Sequence, residues 1–272
     1  RLDIGLALVA ELAALGVAVG FLAGLLGIGG GMVLVPFLTF LLSRSGVDSS
    51  RAVTMAIATS GTTILFTSLS SLTAHHRHGA VRWGLVVRLA PGIVLGGLAA
   101  GAGVLALVHG RWLAIVFAAV NAVVSWRMLR GAQTEGARRS LPDTPALLGA
   151  GAGIGFVSGL LGAGGAFLSV PFMVWCGVPL RQAVGTSAAL GFPIALAASS
   201  GYVIGGWNLP PALPGAFGFI YVPGVLAVAL ASVTFAPLGA RAAHRMPVER
   251  LRRIFALLLM ALAAYMAWKA VA

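Results

Sequence analysis

Long apolar runs broken by short polar gaps divide the chain into ten segments. In the first half they lie at about 4–26, 31–43, 52–74, 84–108 and 112–129. In the second half they lie at about 146–161, 166–178, 183–204, 216–239 and 252–271. Most approach the roughly 17 to 25 residues with which a helix crosses a bilayer. The second segment of each half is the exception. At about 1.5 Å per residue, roughly 13 residues reach about 20 Å, short of the roughly 30 Å hydrocarbon core. Each is expected to be either a short tilted span or the returning arm of a re-entrant hairpin.

Nearly the same phrase leads into both short segments. "GFLAGLLGIGGGMVLVPFL" (20–38) and "GFVSGLLGAGGAFLSVPFM" (155–173) share 11 of 19 positions. Upstream, Gly16, Gly20, Gly24 and Gly27 pair with Gly151, Gly155, Gly159 and Gly162. Weaker echoes follow: "RAVTMAIATS" (51–60) against "RQAVGTSAAL" (181–190), and Pro91-Gly92 against Pro223-Gly224. The chain is thus two repeats, 1–130 and 145–272, joined by a charged linker, 131–144, that is expected in the cytoplasm. This pairing sets Thr54, Met55 and Ala56 opposite the "GTS" of 185–187, so any site built on those hydroxyls is asymmetric.

Charge decides whether the chain passes through the glycine phrase or turns back, because cytoplasmic loops collect Lys and Arg. Passing straight through divides the 18 cations nine and nine between the two sides. Reversal at both phrases divides them 13 against five, with Arg77, Arg82, Arg138, Arg139, Arg181 and Arg250 all on the rich side. The chain is expected to turn. Each half then enters on one side and leaves on the other, so the halves are inverted and both termini lie outside. The loop at 75–83 is rich in His and Arg, while its counterpart at 205–217 has no charge. The expected fold is an all-α polytopic membrane protein of two inverted repeats. Each repeat has about five hydrophobic segments, the second being short or re-entrant after a Gly-rich break. Such breaks at matching positions point to a secondary transporter with its site where they meet.

Composition agrees. The chain is 59% hydrophobic and 9% charged, against about 25% charged in a soluble domain. A net charge of +12 invites a nucleic-acid partner, but that needs cations gathered on an exposed face. Here they sit in short gaps between apolar runs, so the expected partner is a lipid bilayer and not nucleic acid. The single Cys176 leaves no intrachain disulfide or multi-cysteine metal site. Residues 1 to 30 lack a signal-peptide pattern, and no cleavable leader is expected there.

The glycines fall into two kinds. Gly16, Gly20 and Gly24, like Gly151, Gly155 and Gly159, recur every four residues and suit close helix packing. "GIGGG" (27–31) and "GAGGA" (162–166) are different, since each glycine weakens a helix by up to about 1 kcal/mol relative to Ala. They supply a sharp reversal just before a helix, whose first N–H groups and positive dipole end form an anion site made of backbone. The candidate substrate contacts are therefore Gly29, Gly30, Gly31, Gly164, Gly165 and Ala166. The competing reading is a tight turn and nothing more.

Thr186 and Ser187 either bond an oxyanion or cap carbonyls within their own helix. Glu11, a carboxylate inside an apolar run, is either a proton carrier or a hydrated group near the outer boundary. His75, His76 and His78 do not share one helical face, which argues against zinc. With Arg77 and Arg82 they form either a cationic mouth that gathers anions or an ordinary positive-inside loop. Pro36 and Pro171 bend or end the short arms. No metal or cofactor is expected. Without a nucleophile paired to a base, an H-E-x-x-H motif or a phosphate-binding Lys loop, no enzyme activity is expected either.

The paired glycine phrases resemble those of the TauE/SafE family of membrane permeases. So do "RQAVGTS" (181–187), "HGAVRW" (78–83) and "PLGARAAHRMPVERLRRIFA" (237–256). The resemblance implies export of sulfite or a small organosulfonate such as sulfoacetate across a bacterial inner membrane. The first-half "AVTMAIATS" departs from the GTS-like sequence common in that family. An anion leaving a cell with a negative interior gains about 2.3 kcal/mol per 100 mV. Electrogenic uniport by alternating access is therefore the expected mechanism, with proton-coupled transport and an anion channel as alternatives. Self-association and the identity of the anion stay open.

Overall fold

A computed structural model describes residues 2–26, 30–77, 79–130, 141–243 and 248–271. The first half holds α1 (Leu2–Leu26), α2 (Gly31–Arg44), α3 (Ser49–Arg77), α4 (Trp83–Leu98) and α5 (Gly110–Leu129). α4 runs on through a π-helical stretch, Ala99–Val104, into Leu105–Leu107. The second half holds α6 (Thr144–Leu161), α7 (Ala166–Trp175), α8 (Leu180–Gly206), α9 (Val222–Ala243) and α10 (Val248–Val271). Between α8 and α9 lies a small hairpin, β1 (Ala216–Phe217) and β2 (Ile220–Tyr221). Each of the ten predicted segments contains one main helix, but the segment expected at 216–239 opens in the β-hairpin and is helical only from Val222, and the one expected at 166–178 is helical only to Trp175. α3, α4 with its π-helical extension, α6 and most of α8 are long and apolar enough to cross a membrane. α2 and α7 have only 14 and 10 residues.

Local chemistry sets the helix ends around the glycine turns. Asp143 caps α6, its carboxylate accepting the N–H of Ala146 at 3.3 Å. Gly162 ends that helix in the left-handed region at φ 58°, and Gly165 starts α7 from the same region at φ 73°. In the first half Gly30 starts α2 at φ 66°. A side chain at any of these three positions would be strained.

The chain doubles back at each turn. Glu11 on α1 and Arg44 at the end of α2 form an ion pair at 3.3 Å, which requires the two helices to run antiparallel. Gly165 returns to the side of α6, beside Ser158 and Ile154. At one end of the bundle Ser50 accepts the N–H of Gly110 at 2.9 Å, and Arg51 donates to the carbonyl of Pro210. At the other end Arg82 Nε donates to Gln182 Oε1 at 2.6 Å. A chain running straight through both phrases would instead carry 205–217 to the end that holds 75–83.

Packing between the halves is exchanged in kind. α1 lies along α9, and α6 lies along α4, so each half's first helix packs on the other half's fourth. α3 packs on α8, and α5 on α10. Glycine makes the first two contacts possible: Gly16 and Gly20 rest on the backbone of Val228 and Ser232, and Gly151 and Gly155 on that of Leu89 and Ile93. One core gathers Leu12, Met32, Leu38, Ile57, Phe117 and Leu259 from the first half and α10. A second gathers Leu89, Ile93, Leu147, Met173, Leu190 and Ile194 around α4, α6, α7 and α8.

All six tryptophans are exposed. Trp83, Trp126 and Trp175 lie toward the end that holds Arg82, while Trp112, Trp207 and Trp268 lie toward the end that holds Ser50. Ser125 donates to the carbonyl of Ala256 at 2.5 Å, and Phe40 meets Tyr265 edge to face, fixing the direction of α10 in this comparison. Two levels of tryptophan at opposite ends are what the two membrane–water interfaces select.

Candidate functional site

The two glycine turns come together in the interior. Gly31 lies directly against the carbonyl oxygen of Gly162, and a methyl group there would stand 2.9 Å from the Cα of Ala163. Ser60 on α3 donates to the same Gly162 oxygen at 2.9 Å. Gly162 in turn lies on the carbonyl of Ile57. Of the predicted contacts, Gly31 thus meets the second turn, at Gly162 and Ala163, just ahead of Gly164, Gly165 and Ala166. Gly29 lies outside the described residues, as does His78.

Neither helix that starts here has a side-chain cap. In α2, Val33 and Leu34 donate to the carbonyl of Gly30 at 3.1 and 3.0 Å. In α7, Leu168 and Ser169 donate to the carbonyl of Gly165 at 3.0 and 2.9 Å. The N–H groups ahead of these bonds are the ones a helix start leaves to a ligand or to water. Hydroxyls surround the second turn. Ser158 on α6 is buried with no partner for its Oγ, and Ser169 Oγ bonds Ser187 Oγ at 2.7 Å. Among the described residues the buried polar side chains are Ser, Thr and Asn, together with Cys176, Tyr221 and Tyr202, the last donating its hydroxyl to the Gly159 carbonyl. No Asp, Glu, Lys or Arg is buried among them. An unpaired charge in such an interior would be costly, so its electrostatics come from hydroxyls and peptide dipoles.

Thr186 and Ser187 are both buried. Thr186 Oγ1 accepts the backbone N–H of Arg82 at 3.0 Å, which holds the start of α4. In mirrored fashion Thr59 Oγ1 accepts the N–H of Tyr221 at 3.0 Å, just before α9. This corrects the sequence pairing: the counterparts of Thr186 and Ser187 are Thr59 and Ser60, and not residues 54–56. The hydroxyls were never lost from the first half. Thr186 serves neither its own helix nor open space; it secures the opposite half's fourth helix.

The remaining candidates stand elsewhere. Glu11 pairs with Arg44 at a partly exposed position. His76 accepts from the Trp83 indole at 3.3 Å, with the rings edge to face. His75 and Arg77 close the last turn of α3, and Arg82 precedes α4. This group lies at one end of the bundle. Gln182, which Arg82 holds, is about 18 Å along α8 from Ile194 beside the second turn. Among the described residues no set of three His, Cys, Asp or Glu could hold a metal. Thr59, Ser60, Ser158, Ser169 and Tyr202 were not foreseen. The repeated Thr-Ser dipeptide was the available signal for the first two.

A family profile described as Sulfite exporter TauE/SafE matches residues 12–266, and both glycine turns lie inside that range. The chain belongs to the TauE/SafE family. This TauE/SafE chain is 34% identical to a probable membrane transporter protein of Haemophilus influenzae over 256 residues, covering 92% of this chain and 95% of the relative. It is 28% identical to a probable membrane transporter protein of Xylella fastidiosa over 265 residues, covering 92% of each. It is 30% identical to the probable membrane transporter protein YunE of Bacillus subtilis over 231 residues, covering 76% of this chain and 84% of the relative. No solved structure matches. Membership places the TauE/SafE helices in a bilayer, as the four long apolar helices already suggest.

Proposed function

We propose that this chain exports a small sulfur-containing oxyanion, sulfite or an organosulfonate such as sulfoacetate, across a bacterial inner membrane by alternating access. In this reading the two halves are inverted repeats with both termini outside, and the anion sits at the glycine turns where the two halves meet. The observation that carries the reading is the contact of Gly31 with the Gly162 turn at the junction of the halves. The exchanged packing of first and fourth helices supports rocking of one half on the other. Thr186 and Ser187 act by holding α4 and α7 in place around the site.

Transport is electrogenic uniport. The absence of a buried carboxylate among the described residues favours this over proton coupling, as does the pairing of Glu11 with Arg44. The histidines and Arg82 form a cationic mouth on the cytoplasmic side. The test is reconstitution in liposomes on a solid-supported membrane, with imposed sulfite gradients. The expected result is a saturable current that reverses with the gradient and is unaffected by a proton gradient. Flux without current ends the uniport reading, and unsaturable single-channel conductance favours a channel.

A further inference from the structure

The two glycine turns are not equivalent. Against α2 of the first turn stands the carbonyl oxygen of Gly162, packed on Gly31. An acceptor oxygen there opposes an anion and partly answers the positive end of α2. The second turn has the opposite surroundings. Ser158, 1% exposed, has no partner for its hydroxyl. That Oγ lies 3.1 Å from where a Cβ on Gly165 would stand, at the uncapped start of the ten-residue α7. Three other buried side-chain atoms lack partners among the described residues, namely Ser43 Oγ, Asn121 Oδ1 and Ser232 Oγ. They sit near the end of α2, within α5 and beside Gly20, so Ser158 alone adjoins the start of a helix. In the repeat alignment Ser158 and Ser169 correspond to Ala23 and Leu34, so these hydroxyls belong to the second turn only.

We infer that the second turn alone holds the transported anion, through the first N–H groups of α7 and the Ser158 hydroxyl, and that among the ions proposed above it selects a monoanion, hydrogensulfite or a sulfonate without a second charge, over dianions such as sulfate and sulfoacetate. The inference rests on the proposed anion transport and assigns its charge state and its principal side chain. A helix start offers the equivalent of roughly half a positive charge. With a neutral hydroxyl and no buried cation among the described residues, it can balance one negative charge but leaves a second unpaired and desolvated. Ile194, whose Cδ1 lies against Gly165, closes the other side of the turn with an apolar surface. That surface suits the carbon or sulfur face of the ligand better than a further charged oxygen.

The test uses the full chain purified in detergent, with methanesulfonate, sulfite and sulfate as probes, read by isothermal titration and thermal unfolding. Methanesulfonate should bind equally at mildly acid and mildly alkaline pH. Sulfite should bind more weakly as it passes from hydrogensulfite to the dianion, and sulfate should not bind. Ser158→Ala should weaken methanesulfonate binding about tenfold or more, the effect of losing a hydrogen bond to a charged group. Its unliganded Tm should not fall, because the hydroxyl it loses had no partner, whereas a structural serine would lower it. Sulfate binding as tight as methanesulfonate overturns the inference, as does unchanged binding by Ser158→Ala. Silence of the unaltered chain toward all three probes overturns the transport reading, and this site with it.

Discussion

Gly31 of the first half rests on the peptide carbonyl of Gly162 in the second, and the oxygen between them also accepts the hydroxyl of Ser60. Two stretches 131 residues apart are thereby locked backbone to backbone. Gly31→Ala should force this contact open and cost about 1–3 kcal/mol, the usual range for overpacking. Transport should fall with it. A variant with unchanged Tm and flux would show that the turns are free to separate.

The glycines of α6 allow a comparison within one helix. Gly151 and Gly155 lie against the backbone of α4, while a methyl group at Gly149 or Gly153 meets nothing. Gly149→Ala and Gly153→Ala should each stabilise by up to about 1 kcal/mol through helix propensity. Gly151→Ala and Gly155→Ala should destabilise. Thermal unfolding of the four variants in one detergent checks the alternation.

Thr59 and Thr186 perform one task from opposite halves, so their removal should have matched effects. Thr59→Val leaves a buried N–H without its acceptor and Thr186→Val a partly buried one, each at a cost of about 1–3 kcal/mol. Measured KM should change little in either. A KM defect confined to Thr186→Val would instead assign that hydroxyl to the substrate.

Glu11→Gln should keep flux within about twofold, because a partly exposed ion pair contributes only about 0–1 kcal/mol. Loss of transport together with loss of its response to a proton gradient would return Glu11 to the role of proton carrier. Counterflow assays with and without an imposed pH difference read this directly.

The end-to-end arrangement is open to thiol labelling. Cys176 is buried, so background labelling should be small. Single cysteines replacing Ser45 and Leu209 should react with an impermeant reagent from the same side. Cysteines replacing Gly79 and Pro179 should react only from the other. Labelling of 45 and 209 from opposite sides would mean that the chain does not double back.

Much of this architecture was legible before any coordinates. Helix positions follow from apolar runs bounded by charge, and the reversal at each glycine phrase follows from where arginine collects. What stayed hidden were features of spacing and asymmetry. From the glycine phrase to the Thr-Ser dipeptide the second half is eight residues shorter, with α7 briefer than α2, so arginines aligned at 51 and 181 put Thr59 and Ser60 out of register. Ser158 is not marked by the repeat, because its partner is Ala23. That Thr186 serves the opposite half could not be seen along one chain, since the N–H it accepts is 104 residues away.

The shortness of α2 and α7 bears on how voltage acts on this protein. At 14 and 10 residues they reach about 21 and 15 Å from opposite ends of the bundle, and their glycine starts meet in between. Were water to fill the approach beside each short helix in the proposed transport cycle, the transmembrane potential would fall across the thin septum where Gly31 and Gly162 touch. A displacement of a few ångströms there would then carry an ion through most of the electrical distance. The steepness with which turnover responds to voltage is then a measure of septum thickness, readable without locating a single side chain.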